Sequence, residues 1–155
     1  MFAAAAGVVS LAAAAGWLFF FREDESGPLL IELRPDDVRF VAQGAEIYDQ
    51  YCAACHGADL EGQANWRQRN AAARLPAPPH DETGHTWHHP DMALFDLTKI
   101  GPAALVGGGY ESDMPGYEGV LTDQEVLAVL SYIKSTWPED IRARHDQINE
   151  RGGHR

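Results

Sequence analysis

The chain has 155 residues, 45% of them hydrophobic, and carries a net charge of −11 from 23 acidic and 12 basic side chains. That length allows one domain plus an appended segment. The acidic balance excludes nucleic acid as a partner, because a phosphate backbone requires a basic counterpart; it suits plain solubility or steering toward a partner with a basic face.

Residues 2–21, FAAAAGVVSLAAAAGWLFFF, hold no charge, and Ser10 is the one clearly polar side chain among them. Twenty helical residues rise about 30 Å, enough to cross the hydrocarbon core of a bilayer. Trp17 and the phenylalanines gather toward one end, where an aromatic belt belongs, and Arg22-Glu23-Asp24-Glu25 ends the run. A cleaved signal peptide is the competing reading, yet no Lys or Arg precedes the run. Cleavage after Ala15 would also leave Trp17 to Phe21 exposed near a new terminus. The expectation is an uncleaved anchor over 1–21, a transmembrane helix whose alanines and glycines permit close contact with other helices. Residues 22–37, with Gly27, Pro28 and Pro35, read as a tether of roughly 50 Å at full extension.

Gly44, Ile47, Tyr48 and Tyr51 recur at helical spacing over 38–51. Glycine inside a helix costs up to about 1 kcal/mol against alanine, which is reasonable where another helix crosses closely. Cys52-Ala53-Ala54-Cys55-His56 follows, and the chain has no other cysteine. C-x-x-C-H is the attachment pattern of a c-type haem: two thiols bond to the porphyrin and the imidazole becomes the proximal iron ligand. A structural zinc site would need further ligands to close a tetrahedron, and a thioredoxin-like pair would need a βαβ setting that the pattern lacks.

Residues 57–89 are rich in Gly, Pro, Asn and His, and Pro76, Pro78 and Pro79 prevent a regular helix. A loop of that length in a small domain calls for a binding role. A short helix is expected from Pro90 to Gly101, with Met92 in its first turn as a packing residue. Gly107-Gly108-Gly109 then precedes Met114, which lies in Met114-Pro115-Gly116-Tyr117. Among Met1, Met92 and Met114, the last is the candidate sixth ligand. A thioether favours Fe(II) and raises the potential relative to bis-histidine ligation; with both axial positions filled, electron transfer remains and substrate chemistry at iron does not. The helix expected over 123–137 opens on a capping box, Thr122 with Glu125, and a staple pair, Leu121 with Val126. Its apolar stripe is Val126, Val129, Leu130, Ile133 and Trp137. Residues 139–155 read as a polar extension, helical over 141–150 and frayed at Gly152-Gly153.

With Gly44, Tyr48, Cys52-Ala53-Ala54-Cys55-His56-Gly57, Met114-Pro115 and the helix bearing Tyr132 and Trp137 in place, the chain resembles a class I monohaem cytochrome c over roughly residues 38–138, of the membrane-attached bacterial type. The resemblance implies an all-α fold preceded by one transmembrane helix, and one covalently bound haem c. It implies single-electron transfer without catalysis, from a quinol-oxidising complex to a terminal oxidase or photosynthetic reaction centre, as a tethered shuttle or as a stable subunit. Because bacteria make covalent haem c outside the cytoplasmic membrane, it also implies a single-pass protein with its domain in the periplasm. It further implies that Pro78 or Pro79 offers a carbonyl to His56 Nδ1–H, so Pro79 joins Cys52, Cys55, His56, Met114 and Trp87 in the candidate cofactor site. Trp87 is expected at a haem propionate, and Tyr110 and Tyr117 along the methionine side. His80, His85, His88 and His89 depart from the simplest members. Imidazoles at this density suit copper or zinc, propionate hydrogen bonds or a rival axial ligand. They are the one hint toward the alternative of copper handling or of a haem enzyme, a peroxidase or a sulfur-compound dehydrogenase.

Overall fold

The computed structural model describes residues 30–152. Helices α1 (Val38–Tyr51), α2 (Ala53–His56), α3 (Asp91–Ile100), α4 (Pro102–Val106), α5 (Asp123–Ser135) and α6 (Glu139–Gly152) follow in chain order, with a 3-10 turn at Thr86–His88 between α2 and α3. Among the described residues there is no strand, as an all-α class I cytochrome c domain requires. The expected span 1–21 lies outside the described residues; among the described ones, no helix is long and apolar enough to cross a membrane.

The crossing of α1 and α5 organises the core. Asp37 starts α1 by accepting from Arg39 N–H at 3.2 Å and Phe40 N–H at 3.1 Å. Thr122 and Glu125 complete the expected reciprocal cap on α5, which satisfies donors that a helix start leaves without partners. Gly44 is the point of closest approach: a Cβ there would sit 2.0 Å from the Ala128 carbonyl oxygen and 2.9 Å from Tyr132 Cβ. Hydrogen is therefore the one side chain the crossing admits. Ile47 and Tyr48 of α1 then bury against the α5 face of Val126, Leu127, Val129, Leu130 and Ile133, and Tyr48 meets Tyr132 with ring centroids 5.4 Å apart.

Helix α3 turns Asp91, Leu94, Phe95 and Thr98 inward. That face passes Met92 by: its side chain is 54% exposed, which corrects the expectation of a packing role. A buried aspartate at the helix start, not an apolar residue, sets the helix's rotation.

Two segments expected to trail from the domain belong to it. Leu33, within the expected tether, is buried, and its N–H donates to Asp91 Oδ2 at 2.9 Å. Arg34 N–H donates to Ser131 Oγ at 2.9 Å, its guanidinium lies 3.5 Å from the Phe40 ring centre, and Arg142 bonds Asp36 at 3.0 Å. At the other end, α6 starts directly after Pro138, buries Ile141 and His145, and has Gly152 as its last residue. His145 is fully buried. Its Nε2–H donates to the His89 carbonyl at 3.0 Å, with Asp91 Oδ1 at 3.4 Å, and its Nδ1 faces the Asn149 amide at 3.4 Å. Asn149 exchanges bonds with Asp91, accepting from its N–H at 2.7 Å and donating to Oδ1 at 2.9 Å. Helix α6 is thus docked by a polar network rather than an apolar stripe.

Candidate haem-attachment site

Helix α1 runs into the attachment motif without a break, since Cys52 N–H donates to the Tyr48 carbonyl at 2.9 Å. The motif itself is the single turn α2, and Gly57, at φ 83°, ends it in a left-handed conformation that a side chain resists. Tyr48 Oη–H donates to the Gly57 carbonyl at 2.9 Å, so the buried aromatic of α1 also fixes the end of the motif. Both cysteines are free thiols, Cys55 exposed and Cys52 half-buried. Burial, then the neighbouring Cys55, pushes the Cys52 thiol up to about 11, opposite to the lowered value of a redox-active C-x-x-C.

His56 is buried. Its Nδ1 lies 2.8 Å from the Pro78 carbonyl oxygen, which makes Nδ1 the donor and leaves Nε2 with its lone pair. Burial lowers its pKa, against the raising effect of that hydrogen bond, so the ring is neutral and able to ligate. The accepting carbonyl belongs to Pro78 and not to Pro79, which corrects the choice by one residue. Pro79 is buried beside it and fills the space that two glycines leave open: a Cβ on Gly62 would meet Pro79 N at 2.4 Å, and one on Gly84 would meet the Pro79 carbonyl oxygen at 2.0 Å.

The loop after the motif is closed at its neck. Gln63 N–H donates to the Ala77 carbonyl at 2.8 Å, and Ala77 N–H returns a bond to Gln63 Oε1 at 2.9 Å. His80 N–H donates to the Leu60 carbonyl at 2.8 Å. This closure delivers Pro78 to His56, and it also brings His80 there. The His80 ring stacks on His56 with centroids 3.9 Å apart and planes 21° apart.

Met114 lies on the segment after α4, half-buried, with its N–H donating to Ser112 Oγ at 3.1 Å. Three ties hold that segment, to the end of α1 beside the attachment motif, to α3 and to the loop after the motif. Tyr117 Oη–H donates to the Tyr51 carbonyl at 2.7 Å, immediately before Cys52. Burial, then proximity to Cys52 and Cys55, pushes the Tyr117 phenol up to about 12. Gly116 packs on the Ile100 carbonyl, where a Cβ would come within 2.4 Å. On the other side, Arg74 pairs with Asp113 and Glu111, which lie just before Met114 in the chain. Tyr110 sits farther along the segment, with the Arg69 guanidinium 5.8 Å from its ring centre. Trp87 is half-buried against the core; its Nε1–H donates to the Glu82 carbonyl at 3.3 Å and its ring stacks on His88 at 3.7 Å.

The histidine loop brings His85 and His89 edge-on at 5.5 Å but gathers no larger cluster among the described residues. His85 lies parallel to Trp66 at 5.3 Å, His88 on Trp87, and His80 on His56. Among the described residues, no group of three or more His, Cys, Asp or Glu side chains is arranged to hold a metal ion, so the copper or zinc site that their density suggested has no support there. His80 lies with its ring face against His56, and its Nδ1 is 2.8 Å from Thr86 Oγ1.

The donor set fits a covalently held haem. Two free thiols within one helical turn supply the attachment points, and a buried neutral imidazole oriented by a backbone carbonyl supplies a ligand nitrogen. Orientation of a ligating histidine through its other ring nitrogen is a general device of metal sites. Sequence reading placed His80 among the loop histidines but missed its stack on His56, its Thr86 partner, and the Trp137 indole, whose Nε1–H donates to the His80 carbonyl at 2.7 Å. The available signal was position: His80 follows the Pro78-Pro79 pair directly.

Comparison with protein families gives one match, to the family model described as Cytochrome c, over residues 41–137. No curated protein and no solved structure matches the chain.

Proposed function

The chain belongs to the cytochrome c family, and from that premise we propose that it is a membrane-anchored monohaem cytochrome carrying single electrons between membrane redox complexes. Class I members of this family are generally non-catalytic electron carriers, and Cys52, Cys55 and His56 give this chain one covalently bound haem c. The bound haem supplies a one-electron couple at its iron. The protein's part would be to hold and orient it: Cys52 and Cys55 would attach it, and His56 Nε2 and Met114 Sδ would supply ligands to its iron. The observation that carries this reading is the His56 Nδ1 bond to Pro78, which fixes the tautomer and leaves Nε2 as the donor atom.

The donor is a quinol-oxidising complex and the acceptor a terminal oxidase or photosynthetic reaction centre. The protein serves either as a tethered shuttle or as a stable subunit. The uncharged run 2–21 supports the anchor, and a periplasmic domain on the bacterial cytoplasmic membrane follows from where covalent haem c is made. Trp87, whose indole N–H donates to the Glu82 carbonyl, is the residue assigned to a haem propionate in this reading.

Met114→Ala in the holoprotein tests the ligand set. The wild type should show the sulfur-to-iron band near the far-red edge, and the variant should lose it together with the normal potential; an unchanged spectrum rejects Met114. Gentle membrane extraction followed by intact mass measurement tests the rest. An uncleaved N-terminus and a co-purifying redox subunit are expected, and a processed, soluble protein refutes anchoring.

A further inference from the structure

We propose that His80 is a positioning residue that fixes the ring plane of the axial ligand His56. The inference rests on the reading of His56 as proximal ligand and deepens it. A hydrogen bond from Nδ1 to Pro78 sets where the imidazole points, but it acts along the ring's edge and its broad angular tolerance leaves the plane some freedom to tilt. A flat partner against the face removes that freedom. His80 lies 3.9 Å away and nearly parallel, the offset-stacked arrangement that aromatic rings favour.

The partner is itself held on several sides. Its Nδ1 meets Thr86 Oγ1 at 2.8 Å, its N–H donates to the Leu60 carbonyl at 2.8 Å, and its carbonyl accepts from Trp137 Nε1 at 2.7 Å. Its ring also meets Tyr48 edge-on at 6.2 Å. Thr86 is buried at the 3-10 turn and Trp137 in the core. Trp137 is in turn met edge-on by His145 of α6 at 5.1 Å. A leucine at position 80 would fill similar volume without presenting a flat face. The use of histidine, fixed by a dedicated hydroxyl, is explained by orientation and not by packing. A rigidly held imidazole would change little in orientation between oxidation states, which would serve fast electron exchange.

The test is proton NMR of the oxidised holoprotein, in which the order and spread of the haem methyl resonances report the orientation of the axial imidazole plane. His80→Phe keeps a flat ring and should retain the wild-type order. His80→Leu keeps the volume alone and should change the order or collapse the spread. Thr86→Val leaves the ring but removes its hydroxyl partner, and should shift the pattern in the same sense as His80→Leu. Far-UV circular dichroism confirms folding of each variant, since the Trp137 bond uses a backbone carbonyl that all of them keep. His80→Leu with an unchanged methyl pattern overturns the proposal, as does an identical change in His80→Leu and His80→Phe. A wild type lacking low-spin haem resonances would overturn the ligand assignment itself, a failure visible before any variant is made.

Discussion

Replacing Gly44 by alanine should loosen the crossing on which the attachment motif depends. The added methyl would lie 2.0 Å from the Ala128 carbonyl oxygen, where ordinary contact begins at 3.4 Å, so the helices must separate by up to 1.4 Å or bend. Neither obstacle can rotate away, because one is the Ala128 backbone and the other is Tyr132 Cβ, which is fixed to the α5 backbone. A radial gap of about 0.5–1 Å already forfeits a quarter to a half of the dispersion attraction across it, and Ile47, Tyr48, Leu127 and Val129 line this interface. Overpacking costs about 1–3 kcal/mol and at times more; alanine returns up to about 1 kcal/mol through helix propensity. The net effect should be a loss of about 2 kcal/mol, large beside a total stability of about 5–15 kcal/mol. Urea unfolding of the holoprotein checks it. With a slope of about 1–3 kcal/mol/M, the midpoint should fall by about 1 M at unchanged slope. A midpoint equal to or above the wild type would refute the close-approach argument.

Two further outcomes follow from the buried polar network and the α5 cap. His145 is held below its ordinary value of 6.5 by burial and by the Lys134 ammonium, against the opposing pull of Asp91, the His89 carbonyl and Asp146. The unfolded chain therefore takes a proton near 6.5 that the folded one refuses. This stabilisation is fully present above that pH and declines as pH falls, with a slope approaching about 1.4 kcal/mol per pH unit. In urea midpoints measured from neutral to mildly acid pH, His145→Gln should flatten the acid limb; a limb as steep as the wild type's would rule out His145 as its source. Thr122→Ala removes the acceptor for Glu125 N–H at 3.3 Å and the hydroxyl bond to Glu125 at 2.8 Å. It should cost about 0.5–2 kcal/mol in thermal or urea unfolding, and no measurable loss would mean that solvent replaces the cap.

The sequence carried the parts of this molecule that local chemistry decides. C-x-x-C-H names its cofactor, Thr122 with Glu125 marks a helix start, and Gly44 on an otherwise bulky face marks a crossing. The parts it hid depend on contacts distant along the chain. Pro78 and Pro79 are equivalent as sequence, and the Gln63–Ala77 closure decides which carbonyl reaches His56. His80 reads as one of several polar loop histidines until that same closure lays it on the ligand. Met92 looked apolar enough to pack, yet inward placement of Asp91 rotates α3 so that positions 91, 94, 95 and 98 form the buried face. The last helix looked solvated because its docking groups, His145 and Asn149, are polar; their burial depends on Asp91 and His89, more than fifty residues away.

The residues leading into α1 bear on how force reaches the cofactor. Tension arriving along the chain from residue 30 meets Leu33, Arg34 and Asp36 in turn, and these are fastened to Asp91 of α3, to Ser131 and Gln124 of α5, and to Arg142 of α6. The load is shared among three helices before it comes to α1, whose far end leads into Cys52 and the turn that holds Cys55. Load entering at residue 30 is thereby taken up by the scaffold before it reaches the attachment motif.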